Sequence, residues 1–227
     1  MRNLILPLLA TLASALVPLS ASAASFEEEC ARQLGPTQVS VVPDYGQPVG
    51  DYSLSYKELT ARSPTPGAMT LGLTEARLTT EISYGTSGLK NGQGQACSRP
   101  QLKVVLRFDP MKVFVGREFQ PGTCEFQHIF VHELRHVKAN QGYLAHVAQK
   151  LQGELANYYG NRIFYGDPAM VGAQLKKEVE DTWMPRAKAW LGLVSQVHAS
   201  IDTPQEYGRS KTACGGAINR ILQAGGR

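Results

Sequence analysis

This chain has no concentration of charge of either sign, and that lack excludes several functional classes. Its 227 residues include 23 Lys and Arg and 19 Asp and Glu, which gives a formal net charge of +4. The sequence contains no run of basic residues, no internal repeat and no low-complexity tract. A net charge this small does not favour a nucleic-acid partner. We therefore expect no nucleic acid among the partners of this protein.

Cysteine is scarce as well. The four cysteines are Cys30, Cys97, Cys124 and Cys214. No two of them form a CxxC pair, so a zinc site built from cysteines is not expected. An even number of cysteines in an exported chain favours two disulfides. Four cysteines allow three pairings, and the sequence does not choose among them.

Long apolar runs are absent except at the start of the chain. Arg2 precedes an apolar stretch over residues 4–19, and Ala21-Ser22-Ala23 follows as an A-x-A cleavage site. This order is typical of a secretory signal peptide, and the apolar run, which contains two prolines, is short for a membrane span. We expect residues 1–23 to be removed. The mature protein is then exported, periplasmic or secreted, with no attachment to the membrane.

The remaining residues, 24–227, suit a single domain with a β-rich part over residues 24–120 and a helical part over residues 121–227. In the β-rich part, Leu102 to Phe108 alternates apolar and polar side chains, as a half-buried strand does. Asp109-Pro110 is a turn signal, and a second strand follows it. The two strands are therefore predicted to form a hairpin.

The helical part has apolar residues at helical spacing from Glu125 to about Ile163, with Thr123 as a candidate N-cap. Asp167 is predicted to cap a second helix that starts at Pro168, continues to Ile201 and is kinked by Pro185. The predicted fold class is α+β. A small N-terminal antiparallel sheet packs on two long antiparallel helices.

The first long helix carries the most informative stretch of the sequence, His132-Glu133-Leu134-Arg135-His136, which has the form HExxH. On a helix, His132 and His136 lie one turn apart on one face, so both imidazoles can hold one Zn²⁺. Glu133 is placed to act as general base on a water activated by that zinc. The motif makes the predicted fold zincin-like.

A catalytic zinc takes three protein ligands and leaves one position open. If the two long helices fold back on each other, His198 lies opposite the motif, and we predict it as the third metal ligand beside His132 and His136. Four acidic residues remain as alternatives for this position. They are Glu178, Glu180, Asp202 and Glu206.

Several of these features occur together in a known group of proteins. Cys97 comes before the strand that contains Val104-Val105-Leu106, HExxH lies on a long helix, and a second helix ends in a polar cluster. This layout, over roughly residues 50–205, resembles a family of uncharacterised bacterial secreted proteins described as zinc-dependent proteases, with an HExxH-containing domain of unknown function. That family tends to have a Tyr-Asp-x-x-Thr-x-His segment near the end of the second helix. Here His198 precedes Asp202 and Thr203, so the order differs.

The function predicted from these observations is a secreted or periplasmic zinc metallopeptidase. Its cofactor is Zn²⁺, its substrate is a peptide or protein, and Glu133 is the catalytic base. Tyr143, Tyr207 and Arg209 are unranked candidates for stabilising the oxyanion. The edge of the strand region over residues 104–115 is expected to align an extended substrate. The alternative is a non-catalytic periplasmic zinc-binding or structural protein with the same motif.

Overall fold

The computed structural model describes residues 24–64 and 69–225. The predicted signal peptide, residues 1–23, lies outside the described residues. The elements in chain order are α1 (Phe26–Gln33), β1 (Gln38–Asp44), β2 (Pro48–Asp51), α2 (Tyr56–Arg62), β3 (Gly72–Lys90), β4 (Ala96–Val115), α3 (Cys124–Tyr159), β5 (Phe164–Tyr165), α4 (Pro168–Glu178), a π-helical segment (Val179–Trp183), α5 (Met184–Gly192), α6 (Val194–Ile201) and α7 (Pro204–Gly225). Within the described ranges, no helix combines the length and apolar character needed to cross a bilayer.

The protein has a mixed α/β architecture with one five-stranded sheet, in which β4 is the central strand. β3 runs antiparallel to β4 along nearly its whole length. β1 and β2 pair parallel with successive parts of β4, and β5 pairs antiparallel with its first residues. These three strands therefore lie end to end along the edge of β4 that β3 leaves free. The predicted antiparallel sheet is wrong, because side-chain alternation identifies a strand and does not encode the direction of its neighbours.

The predicted hairpin at Asp109-Pro110 is also wrong, since β4 continues through these residues to Val115. Proline has no N–H to donate to a ladder, so a strand tolerates it where no partner is needed. Pro110 lies at such a place. On one side the β3–β4 register shifts between Ala76 and Leu78, and on the other side β1 ends opposite Arg107 before β2 begins opposite Met111.

The core lies between one face of this sheet and the helices. Along β4 the buried residues alternate with exposed ones, as predicted for residues 102–108, and the buried set faces α3. α3 contributes an apolar stripe at helical spacing that includes Val137, Leu144 and Leu151. Burial of each such side chain stabilises the fold by about 1.5–3 kcal/mol. The sheet therefore holds α3 rigidly across its inner face.

The second long helix of the prediction is broken into separate pieces, so the arrangement of two long antiparallel helices is wrong. The chain leaves α-helical geometry at the π-helical segment Val179–Trp183, next to Pro185, and breaks again at Leu193. Pro185 lacks the N–H that an uninterrupted α-helix would need at this position. α6 begins after Leu193 and packs against α3.

Both predicted N-caps are confirmed. The Thr123 side chain accepts a hydrogen bond from the Phe126 amide, and the Asp167 side chain accepts from the amides of Ala169 and Met170. Two disulfides are present, Cys30–Cys97 and Cys124–Cys214. The second joins the first residue of α3 to α7, where Cys214 to Gly216 have positive φ and interrupt the helix.

The outer edge of β1 is covered by a side chain of α3. Gln152 Oε1 accepts a hydrogen bond from the Val41 amide at 2.7 Å, and Gln152 Nε2 donates to the Val39 carbonyl at 2.8 Å. An amide side chain in this position satisfies the donor and the acceptor that a further strand would otherwise use. It also ties α3 to the sheet, since a partly buried backbone group without a partner is costly.

We expect Gln152→Ala to lower the free energy of unfolding by about 1–3 kcal/mol, because it leaves the amide of Val41 and the carbonyl of Val39 without partners. Gln149→Ala is the matched control, since Gln149 is exposed on the same helix. That control should stay within about 0.5 kcal/mol of wild type. Urea unfolding followed by circular dichroism measures both variants, and equal midpoints would contradict this role of Gln152.

Candidate metal site

The two histidines of the motif lie side by side on α3, as their spacing predicts. His132 Nε2 and His136 Nε2 are 3.2 Å apart. His136 is buried at 8% exposure, and the side chain of His132 is 17% exposed. α3 is a regular helix here, held by its apolar stripe against the sheet. The positions of both rings are therefore set by the helix backbone and by the core beneath it.

Asp202 completes the group. It caps the end of α6, and its Oδ1 lies 3.0 Å from His132 Nε2 and 3.1 Å from His136 Nε2. Burial alone would raise the pKa of Asp202. The hydrogen bonds from both histidines and their charges outweigh burial and hold this pKa well below its ordinary value. The carboxylate therefore stays ionised next to two imidazole nitrogens.

This arrangement has the chemistry and the dimensions of a site for a divalent metal ion, and His132, His136 and Asp202 could hold such an ion together. Two imidazole nitrogens and one carboxylate oxygen are a donor set that zinc uses in catalytic sites. Bond lengths of about 2.0–2.1 Å at tetrahedral angles place ligand atoms roughly 3.3 Å apart. The observed separations of 3.0, 3.1 and 3.2 Å are close to that value.

His198, the predicted third ligand, does not belong to this group. Its Nδ1 lies 2.9 Å from Nδ1 of His136, on the side of that ring away from Asp202, and its Nε2 lies 3.2 Å from Asn140 Oδ1. The prediction assumed one continuous return helix. In the structure, the residue that reaches both Nε2 atoms is Asp202, which follows the end of α6 and comes four positions after His198. The structure brings Asp202 to the position predicted for His198.

Glu206, another predicted alternative, lies behind His132. It is 5% exposed, and its Oε1 is 3.3 Å from His132 Nδ1 and 2.9 Å from Arg135 Nη1. Arg209 forms a further ion pair with its other carboxylate oxygen. A buried carboxylate that is paired with two arginines can accept a hydrogen bond from Nδ1–H of His132. The Nε2 lone pair of that ring is then free for a metal.

The remaining histidines and the other acidic alternatives lie elsewhere. Glu178 accepts a hydrogen bond from Tyr158, and Glu180 pairs with Lys176 at the surface. His128 contacts Ser210 through its Nε2, and burial lowers its pKa. None of these three residues belongs to the group formed by His132, His136 and Asp202.

Glu133 follows His132 on α3 and is almost fully buried, at 4% exposure. The Thr74 hydroxyl donates to Glu133 Oε2 at 2.8 Å. Burial raises the pKa of Glu133, and the charges of His136 and His132 and the bond from Thr74 oppose that rise. The carboxylate therefore lies against the first residues of β3. The charges of His132, His136 and Asp202, the metal group, still act on it.

Gly72 makes room for this carboxylate. A Cβ atom at Gly72 would come within 2.8 Å of both Cγ and Oε1 of Glu133 and within 2.7 Å of Ile129 Cγ2. No side chain fits there without displacing Glu133. Sequence reasoning missed Gly72 and Thr74, because only the tertiary fold brings β3 to the motif. It also missed Asn140, although the i to i+4 spacing from His136 was a usable signal.

No protein-family model, no curated protein and no solved structure matches this chain.

We expect Gly72→Ala to destabilise the protein by about 1–3 kcal/mol, because the added methyl group overpacks the contact with Glu133. Gly85→Ala is a matched control in the same strand, where an added Cβ would meet nothing closer than 3.7 Å. It should be neutral, or stabilising by up to about 1 kcal/mol. Thermal and chemical unfolding of both variants test this difference, which equal stabilities would refute.

Proposed function

We propose that this protein is a zinc-dependent peptidase of the HExxH type, exported to the periplasm or beyond. The observation that carries the proposal is the convergence of His132 Nε2, His136 Nε2 and Asp202 Oδ1 within 3.2 Å of one another, with Glu133 adjacent. The three residues are the proposed ligands, and Asp202 replaces His198 in that role. The two disulfides are compatible with an oxidising compartment.

Each residue of the proposed site has a distinct task. When bound, zinc supplies Lewis acidity, which activates water for attack and polarises the carbonyl of the scissile bond. Glu133 takes a proton from the attacking water and passes it to the leaving amine. Thr74 holds one oxygen of Glu133, and Gly72 leaves space next to the other. This support keeps the carboxylate in one position during both proton transfers.

The substrate is proposed to be an extended peptide that pairs with the free edge of β3. The predicted aligning segment, residues 104–115, belongs to the central strand β4 and already has neighbours on both edges. Within the described residues, β3 pairs with β4 alone, so its other edge has no strand partner. β3 begins at Gly72, directly beside Glu133. A peptide added there would have its backbone next to the general base.

Tyr207 is the strongest of the three candidates for stabilising the oxyanion. Burial raises the pKa of Tyr207, and the charges of Asp202 and Glu133 raise it further, so the phenol keeps its proton. Arg209 is engaged by Glu206, and the Tyr143 ring packs near His146. A protonated phenol can donate a hydrogen bond to the developing negative charge.

One observation favours a second candidate function, a periplasmic protein that binds zinc without turnover. Glu133 is only 4% exposed, and a general base must reach a water. The same three residues would then bind zinc to store it or to stabilise the fold. Incubation of the purified protein with casein or a peptide library, with and without a chelator, separates the two. Tight zinc binding without chelator-sensitive cleavage favours the second function.

We expect Glu133→Gln to retain zinc and to reduce peptide cleavage by about 10²–10⁴-fold, since the amide cannot accept the proton. Glu154→Gln is the control, because Glu154 is exposed on the same helix and should leave cleavage unchanged. Zinc content is measured by elemental analysis, and cleavage by release of a fluorescent peptide fragment. A Glu133→Gln variant with wild-type cleavage would defeat the general-base role.

We expect Asp202→Ala to lose equimolar zinc, because two histidines alone leave a three-ligand site incomplete. Asp181→Ala removes an acidic residue that is paired with Lys177 at the surface, and it should bind as much zinc as wild type. Dialysis against limiting zinc followed by elemental analysis compares the variants. Full zinc occupancy in Asp202→Ala would show that this carboxylate is not a ligand.

A further inference from the structure

Behind His136, on the side away from the metal group, lies a short row of polar groups. His136 Nδ1 is 2.9 Å from His198 Nδ1, and His198 Nε2 is 3.2 Å from Asn140 Oδ1. Asn140 is 6% exposed and lies one helical turn after His136 on α3, whereas His198 comes from α6. The row therefore begins at His136 and ends at Asn140, both on α3, and the His198 ring of α6 lies between them.

The positions of the protons in this row follow from hydrogen-bond chemistry. A neutral imidazole carries one proton, so a ring that offers its Nε2 lone pair to a metal must hold its proton on Nδ1. The Nδ1 proton of His136 has an acceptor only if His198 Nδ1 carries a lone pair. That condition places the His198 proton on Nε2, where the carbonyl oxygen of Asn140 accepts it. One orientation of the Asn140 amide therefore determines the tautomers of both rings.

We propose that Asn140 and His198 are positioning residues that hold His136 in the tautomer able to bind the metal. This inference rests on the proposed metal site and adds a role for two residues that are not ligands. His132 is oriented differently, by the buried carboxylate of Glu206. The two motif histidines are thus supported differently. A carboxylate contacts His132, whereas the uncharged pair His198 and Asn140, which forms the relay, supports His136. The relay orients His136 without adding charge to the site.

The relay also gives α6 a function in the site beyond that of carrying Asp202. His198 lies one turn before Asp202 on the chain and contacts His136, the ring that Asp202 also contacts. A single helix end therefore touches both ring nitrogens of His136. A displacement of α6 would change the third ligand and the tautomer of His136 together.

The tautomers are measured directly in the zinc-loaded wild-type protein by ¹⁵N NMR of labelled histidine. We expect a proton on Nδ1 of His136 and on Nε2 of His198. A spectrum with the His198 proton on Nδ1 would overturn the relay. This measurement needs no substitution, so a folding defect cannot obscure it.

Zinc affinity, measured by competition with a chromophoric chelator, tests the role of the relay in binding. Asn140→Leu removes the final acceptor and should weaken zinc binding by about 10- to 100-fold. Asn140→Asp keeps an acceptor oxygen in the same place and should restore binding to the wild-type level or better. His146→Phe is the control, since His146 lies on α3 outside the row.

The outcomes separate this inference from the proposed function. If wild type binds zinc and Asn140→Leu binds equally well, the relay is refuted and the metal site stands. If Asn140→Asp is as weak as Asn140→Leu, the acceptor role of Asn140 is refuted. If wild type binds no zinc, the proposed site itself fails, and with it the purpose of the relay.

Discussion

Everything at the site depends on one carboxylate oxygen, Asp202 Oδ1, reaching two imidazole nitrogens at about 3 Å. His132 Nε2, His136 Nε2 and the carboxylate oxygen are all electron-rich, so they lie this close only with positive charge among them. In the protein, ring N–H hydrogens directed at Asp202 supply that charge, and a divalent cation in their place would bind all three atoms. The arrangement therefore has the dimensions of a metal site whose ligands already point at one spot.

The rest of the molecule can be understood as the scaffold that brings Asp202 to that spot. α3 is held across the sheet by its apolar stripe and by Gln152 on the edge of β1. α7 is attached to the start of α3 by the Cys124–Cys214 disulfide, and Ile218 packs in one cluster with Phe126. Asp202 lies between α6 and α7, so both helices limit its movement. The tight geometry results from these separate restraints and not from the motif alone.

Each of the two motif histidines is also contacted by a polar group at its Nδ1. Glu206, with Arg135 and Arg209, orients His132, and His198 with Asn140 contacts the far nitrogen of His136. Buried polar groups are costly unless they are paired, so such networks persist where they hold a geometry. Glu133 has comparable support, since Thr74 and Gly72 of β3 define the space around its carboxylate.

The sequence by itself determined the local features. The i to i+4 spacing of His132 and His136, the caps at Thr123 and Asp167, and the alternation along residues 102–108 follow from periods of 3.6 and 2 residues and from cap chemistry. Only the tertiary structure decided the rest, because pairing direction and helix breaks depend on distant contacts. The packing of α6 against α3 makes Asp202 the third member of the group and places His198 at the other nitrogen of His136. The approach of β3 to Glu133 likewise has no local signal, because it joins segments about sixty residues apart whose contact the packed sheet alone sets.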